Sequence, residues 1–222
     1  MPPTLEVRDL GRRPYQSVLE QQRALRLARI EGSLRHDVLL LVEHDPVYTL
    51  GRGTRASSLP QSVEELRARG AEVVEVERGG DVTWHGPGQL VGYPILHLSH
   101  HRKDLHWYLR TLEQTLINAL GSLGIPAEAV AGKTGVWTAG GKIASLGIHV
   151  KQWVTLHGFA LNIHPDLQWF NQIVPCGLED VTMTSVLREL ATTRSEAELW
   201  AEARAATIAA FGEAFSLIPR EE

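Results

Sequence analysis

Apolar residues along this 222-residue chain recur either at helical spacing or at every second position, and the changes of period mark its elements. "PYQSVLEQQRALRLARIEG" carries Val18, Leu25 and several alanines at helical spacing and stops at Gly32, which predicts a first amphipathic helix. "DVLLLVEH" is a continuous apolar run; Asp45 and Pro46 then turn the chain and "VYTLGRG" resumes in strand-forming residues, which predicts two strands. "SVEELRARG" reads as a short helix capped by Ser62 and ended by Gly70, and "AEVVEVERGG" alternates as a strand entering a double glycine. "QLVGYPILHL" is another strand. Behind the capping Asp104, Leu105, Leu109, Leu112 and Leu116 mark one face of a long helix. "TGVWTAG", "GKIASLGIHV" and "KQWVTLHGFALNI" predict three β segments with glycine breaks, and "SEAELWAEARAATIAAFGEAF" a last helix. Strands in runs, with helices between the blocks, predict an α+β fold with mixed or antiparallel sheets flanked by helices.

Composition narrows the function without naming it. No repeat, linker or low-complexity segment divides the chain, and its length suits one domain over 1–222. A hydrophobic share of 43%, a charged share of 22% and a mean hydropathy of -0.12 are those of an ordinary soluble protein. A net charge of -4 gives no reason to expect nucleic acid. No stretch approaches the ~20 apolar residues of a membrane span, and "MPPTLEVRDLGRRP" lacks the apolar core of a signal peptide, so a cytoplasmic protein without membrane partners is expected. One cysteine, Cys176, cannot form an internal disulfide, which agrees with a reducing compartment.

The glycine-rich stretches do not make a phosphate loop. Such a loop needs G-x-x-x-x-G-K-[ST], but "GKT" at 132–134 has Ala127 where the first glycine belongs, and Lys142 is followed by Ile143. The cluster "HLSHHRKDLH" lacks metal-ligand spacing and reads as a solvated turn before a helix; no metal is expected. "RGGDVTWHGPGQLVGYP" is more informative. Its glycines and prolines set Arg78, Asp81, Thr83, Trp84 and His85 on tight turns where backbone can approach a ligand, as in a pocket wall; a tight hairpin around a trapped tryptophan is the alternative. Cys176 sits between Pro175 and Gly177, on a turn where a thiol can be exposed beside backbone amides, although a lone cysteine is also a common inert core residue. A nucleophilic thiol needs a partner, and Lys142, one of four lysines, is the candidate: an ammonium favours thiolate, and a buried lysine can take a proton. "GGK" suggests a glycine turn, on which the charge would contribute little to stability.

Taken together and in order, "EHDPVYTLGR", "RGGDVTWHGPGQLVGYPI", "GVWTAGGKIASLGIHV", "TLHGFALNI" and "PCGLEDVTMTS" resemble the lipoyl (octanoyl) transferases of lipoate biosynthesis, from position 43 to 187. "EHDP" stands for the more usual "EHPP" and "VTMTS" for a shorter "VTS". The resemblance implies a fold similar to the catalytic domain of lipoate and biotin protein ligases. It implies transfer of an octanoyl group from octanoyl-acyl carrier protein to a lysine of lipoyl domains, in 2-oxoacid dehydrogenase E2 subunits and glycine cleavage H protein. It puts the acyl thioester on Cys176 with Lys142 as its partner, and substrate contacts at Arg78, Gly79, Gly80, Asp81, Val82, Thr83, Trp84 and His85, at Ser145, Leu146 and Gly147, and at Gly158, Phe159 and Ala160. No cofactor is implied.

Two other classes stay open on sequence grounds. An ATP-dependent lipoate or biotin ligase on the same fold would need an adenylate site, and ATP independence separates it from a transferase. A non-catalytic module that docks carrier proteins would not need both Cys176 and Lys142.

Overall fold

The computed structural model describes residues 3–174 and 181–221. In chain order the elements are β1 (Thr4–Arg13), α1 (Tyr15–Glu31), β2 (Asp37–His44), β3 (Val47–Leu50), α2 (Val63–Ala68), β4 (Glu72–Glu75), β5 (Thr83–His85), β6 (Gln89–Ile95), α3 (Leu105–Ser122), β7 (Glu128–Val130), β8 (Lys133–Thr138), β9 (Gly141–Lys151), β10 (Val154–Asn162), α4 (Val186–Leu190), α5 (Glu196–Phe215) and β11 (Ile218–Glu221). Eight strands form one sheet in the order β11-β1-β2-β6-β10-β9-β8-β7, and β4-β3-β5 form a small second sheet. The large sheet is mixed: β1 runs parallel to β11 and β2, and the pairs from β2 to β7 are antiparallel. The fold is α+β, with helices on the sheets, as the pattern predicts.

β2 shows why a continuous apolar run makes a central strand. Leu39 and Leu41 point into the core beneath α3 and α5, while Val38, Leu40 and Val42 point into the core beneath α1, so both faces are buried. Burial on two sides removes the polar alternation of a one-sided strand. A third cluster, with Tyr48, Leu66, Val82, Trp84 and Phe170, fills the small sheet.

Local signals set several boundaries. Gly32 ends α1 at φ 80, Ser62 caps α2 with Glu65 returning a bond to its backbone, and Asp104 accepts from the Trp107 amide at 3.0 Å. The buried face of α3 departs from the leucine reading: Tyr108, Leu112, Thr115, Leu116 and Ala119 are buried, whereas Leu105 is 46% exposed. Residues 151–153 are not the start of a strand. β9 continues through Lys151, and Gln152 and Trp153, both at positive φ, turn the chain into β10. The histidine cluster does form a turn before α3, yet His101 is not solvated: its Nε2 lies 2.6 Å from Asp37 Oδ2, beside the buried Arg29–Asp37 pair at 2.9 Å. No helix among the described residues is long and apolar enough to cross a membrane.

Candidate active site

A narrow cleft is bounded by the start of α1, by the chain between β4 and β6, and by β6, β9 and β10. Its lining comes from separate stretches: Tyr15; Arg78, Gly80, Asp81, Thr83 and His85; Val91 and Tyr93; Ser145, Leu146 and Gly147; and His157, Gly158, Phe159 and Ala160. The pairing of β9 with β10 sets Leu146 opposite Phe159 and Ser145 opposite Ala160, while the pairing of β10 with β6 sets Val91 opposite Ala160. The sheet register thus gathers stretches that are far apart in sequence.

The wall at 78–85 is held from behind. Arg78 is buried, with Nη2 donating to the Thr49 carbonyl at 2.6 Å and to Thr49 Oγ1 at 2.8 Å. Asp81 accepts from Ser58 Oγ at 2.5 Å and from the Val82 amide at 2.7 Å. The chain at Gly51 passes so close to Gly80 that a Cβ there would lie 2.4 Å from the Gly80 carbonyl oxygen. Thr83 to His85 form β5 rather than an irregular turn. Trp84 does not line the cleft: it is buried in the third core cluster and stacks on Trp169 at 5.8 Å. Val82 belongs to the same cluster, and Gly79 donates its amide to the Ile148 carbonyl at 2.9 Å instead of lining the cleft.

An aromatic and histidine group backs the cleft. The Tyr15 and His85 rings stack at 6.0 Å, and His44 lies 6.2 Å from His85 and 5.1 Å from Tyr15. His44 has both ring nitrogens engaged, Nδ1 with the Arg13 carbonyl at 2.9 Å and Nε2 with the Tyr93 hydroxyl at 2.8 Å. Burial lowers the pKa of His44 to about 4, and burial together with nearby His44 lowers that of His85 to about 3. Both rings are therefore neutral near pH 7. His157, buried at φ 59, has its amide held by Gln22 Oε1 at 3.0 Å and its Nε2 3.7 Å from Glu77 Oε2. Contact with His157 and with Arg23 keeps the Glu77 carboxyl well below the usual range, despite partial burial.

Lys142 corrects the reading of a solvated glycine turn. It is the second residue of β9 and is fully buried at 0% exposure, with Nζ 5.6 Å from the centroid of the Trp137 ring. Space for it exists because residue 135 is glycine: at φ +134, a Cβ there would lie 2.5 Å from Lys142 Cε. The Gly135 amide is fixed by Glu113 Oε1 at 3.0 Å, a carboxylate buried on α3. The Lys142 backbone is bound on both sides to the chain at 182–184, its amide to the Thr182 carbonyl at 2.8 Å and its carbonyl to the Thr184 amide at 3.0 Å.

Cys176 lies outside the described residues, between two fixed anchors. Val174 donates its amide to the Ser58 carbonyl at 3.0 Å, next to Asp81 of the cleft wall, and Thr182 is paired with Lys142. Tyr15, Val91, Tyr93 and His157 line the cleft without having been expected there. His157 adjoins Gly158 within "TLHGFALNI", so a signal for it was present; Tyr15 and the β6 residues reach the cleft only through tertiary packing.

The model of the lipoyl protein ligase A/B catalytic domain matches residues 14–211. An octanoyltransferase of Gloeobacter violaceus is 57% identical over 74% of this chain and 72% of its own length. One of Geobacter sulfurreducens is 48% identical over 93% of this chain and 83% of its own. Among solved structures, the bipartite lipoate protein ligase of Thermoplasma acidophilum superposes with a TM-score of 0.69 at 17% identity, covering 100% of this chain and 87% of that one. The biotin protein ligase of Aquifex aeolicus does so with a TM-score of 0.53 at 11% identity, covering 97% and 73%.

Proposed function

The chain belongs to the lipoyl protein ligase A/B catalytic-domain family and is an acyltransferase that moves octanoyl groups in protein lipoylation; from that premise we propose a route through Cys176 and Lys142. The donor is octanoyl-acyl carrier protein and the acceptor a lysine of lipoyl domains, in E2 subunits of 2-oxoacid dehydrogenases and in glycine cleavage H protein, in the cytoplasm. The observation that carries this reading is the buried Lys142, whose backbone is bound to the chain that follows Cys176.

In the first half, the Cys176 thiolate attacks the carrier's thioester carbon. A new C–S bond forms, the carrier's C–S bond breaks, and the carrier leaves as a thiol carrying the proton that Cys176 gave up. One thioester replaces another of similar energy, so no ATP is required. In the second half, the acceptor amine attacks the acyl carbon, the C–S bond to Cys176 breaks, and an amide forms. Lys142 would favour the thiolate in the first half and take the amine's proton in the second, a role of roughly 10²–10⁴ in rate for a well-placed acid–base group. Arg78 to His85, Ser145 to Gly147 and Gly158 to Ala160 are the substrate contacts of this reading. Gly79, Val82 and Trp84 would act from behind the wall. A cleft of fixed depth selects chain length because each buried methylene contributes ~0.8 kcal/mol.

The test is transfer without ATP. Protein, octanoyl-acyl carrier protein and a lipoyl domain should give one octanoyl amide on the domain's lysine, read by peptide mass. A requirement for ATP, or transfer only from free octanoate, would replace this reading with a ligase.

A further inference from the structure

A chain of buried amides runs from the cleft to the strand of Lys142, and its direction is fixed by its last member. The Thr184 carbonyl can only accept, so the Asn162 atom 3.0 Å from it is Nδ2, and Asn162 Oδ1 faces Gln89. Gln89 therefore donates through Nε2 to Asn162 Oδ1 at 2.9 Å, with the Trp84 carbonyl at 3.4 Å from the same nitrogen. Gln89 Oε1 is left as the acceptor 2.7 Å from His85 Nδ1, and a neutral imidazole meets an acceptor only with a protonated nitrogen. Gln89 and Asn162 are 2% and 1% exposed, so bulk solvent does not compete for these bonds. Thr184 in turn donates its amide to the Lys142 carbonyl.

We infer that Gln89 and Asn162 lock His85 as the Nδ1–H tautomer, so that its Nε2 presents a fixed hydrogen-bond acceptor to the cleft, and that this acceptor holds an N–H of the incoming lysine amine. The inference rests on the acyl-transfer reading for the identity of that amine. An octanoyl thioester offers C–H groups and a carbonyl oxygen, and a lone pair on Nε2 repels the latter. Of the groups that react at the acyl carbon, the amine has N–H bonds to donate, and one bond from it to Nε2 leaves the nitrogen lone pair free to face the acyl carbon. His85 does not store the proton. Its neighbours Arg78, His44 and His157 and its burial disfavour the imidazolium. Gln89 and Asn162 are positioning residues, acting through His85.

The tautomer is read directly by long-range proton–nitrogen correlation on histidine-labelled protein near neutral pH. The expected pattern for His85 is a protonated Nδ1 and a bare Nε2; a protonated Nε2 overturns the inference. Gln89→Leu removes the acceptor and should let Nε2 carry the proton, while Gln89→Glu keeps an oxygen in reach of Nδ1 and should restore the native pattern. In single turnovers, Gln89→Leu should slow transfer to a lipoyl-domain lysine about tenfold more than it slows formation of the acyl-enzyme, the worth of roughly one hydrogen bond. Gln89→Glu should recover most of that difference, and equal slowing of both halves overturns the role. If neither variant folds, wild-type protein titrated with n-butylamine decides: the His85 Nε2 resonance should move, and an unmoved resonance rejects the amine contact. Absence of any acyl-enzyme in the wild type would instead reject the acyl-transfer reading and leave the tautomer result standing.

Discussion

The histidine wall of the cleft and the strand end that carries Lys142 are built on different principles. At the histidine wall, the rings of Tyr15, His44, His85 and Tyr93 pack on one another, and His44 and His85 bond to set partners: the Arg13 carbonyl, the Tyr93 hydroxyl and Gln89. At Lys142, position is set by backbone. β9 holds Lys142 between the bonds to Thr182 and Thr184, and the glycine at 135 leaves the space its side chain fills. Ring packing gives a wall with set donors and acceptors, whereas backbone pairing ties Lys142 to the chain that follows the proposed nucleophile.

The sharpest way to break this contrast is at Lys142. Lys142→Ala should lower single-turnover transfer by about 100-fold or more, as expected for loss of a placed acid–base group. Because the side chain is fully buried, the alanine variant should also melt below Lys142→Met, which fills most of the volume yet carries no charge. Equal melting of the two variants, or full activity in the methionine variant, would erase the distinction between the two regions.

A smaller effect is expected at His44, behind the wall. Its pKa is about 4 in the folded chain against 6.5 ordinarily, so below pH 6.5 the unfolded chain takes up a proton that the folded chain refuses. Stability from this residue is complete above pH 6.5 and is lost as pH falls toward 4, by about 3 kcal/mol over the window. His44→Gln should flatten the fall in urea stability between pH 7 and pH 4.5. An unchanged slope would show that His44 is not held neutral. His85, His97, His149 and His157, also lowered by burial, contribute to the slope that remains.

Much of the fold was legible because its signals are local. Gly32, Ser62 and Asp104 act on the backbone within a few residues of themselves, and the run at 37–44 announces burial on both faces. What escaped depends on distant partners. β1 and β11 pair the two ends of the chain, and only Leu5 and Val7 of β1 lie in the core, too few to set a period. Leu105 shares the leucine spacing of α3, but the contact of α3 with α5 begins after it, at Trp107 and Tyr108. "GGK" looks like a turn because its glycines precede a cation; the structure uses Gly141 to start a strand pressed on Thr182, where a Cβ would lie 2.3 Å from the carbonyl oxygen. Trp84 reads as a pocket residue from its neighbours, yet strand alternation in β5 turns it away from the cleft that Thr83 and His85 line. Tyr15 carried no signal, and Tyr93 only its place in the stretch at 78–94, since a helix start and a central strand meet at the cleft only in three dimensions.

The central claim is a covalent one, and intact mass tests it most directly. Protein mixed with octanoyl-acyl carrier protein in the absence of ATP should gain a single octanoyl group, mapped by peptide mass to Cys176 and removed by hydroxylamine. An adduct on another residue, or none until ATP is added, would contradict the account.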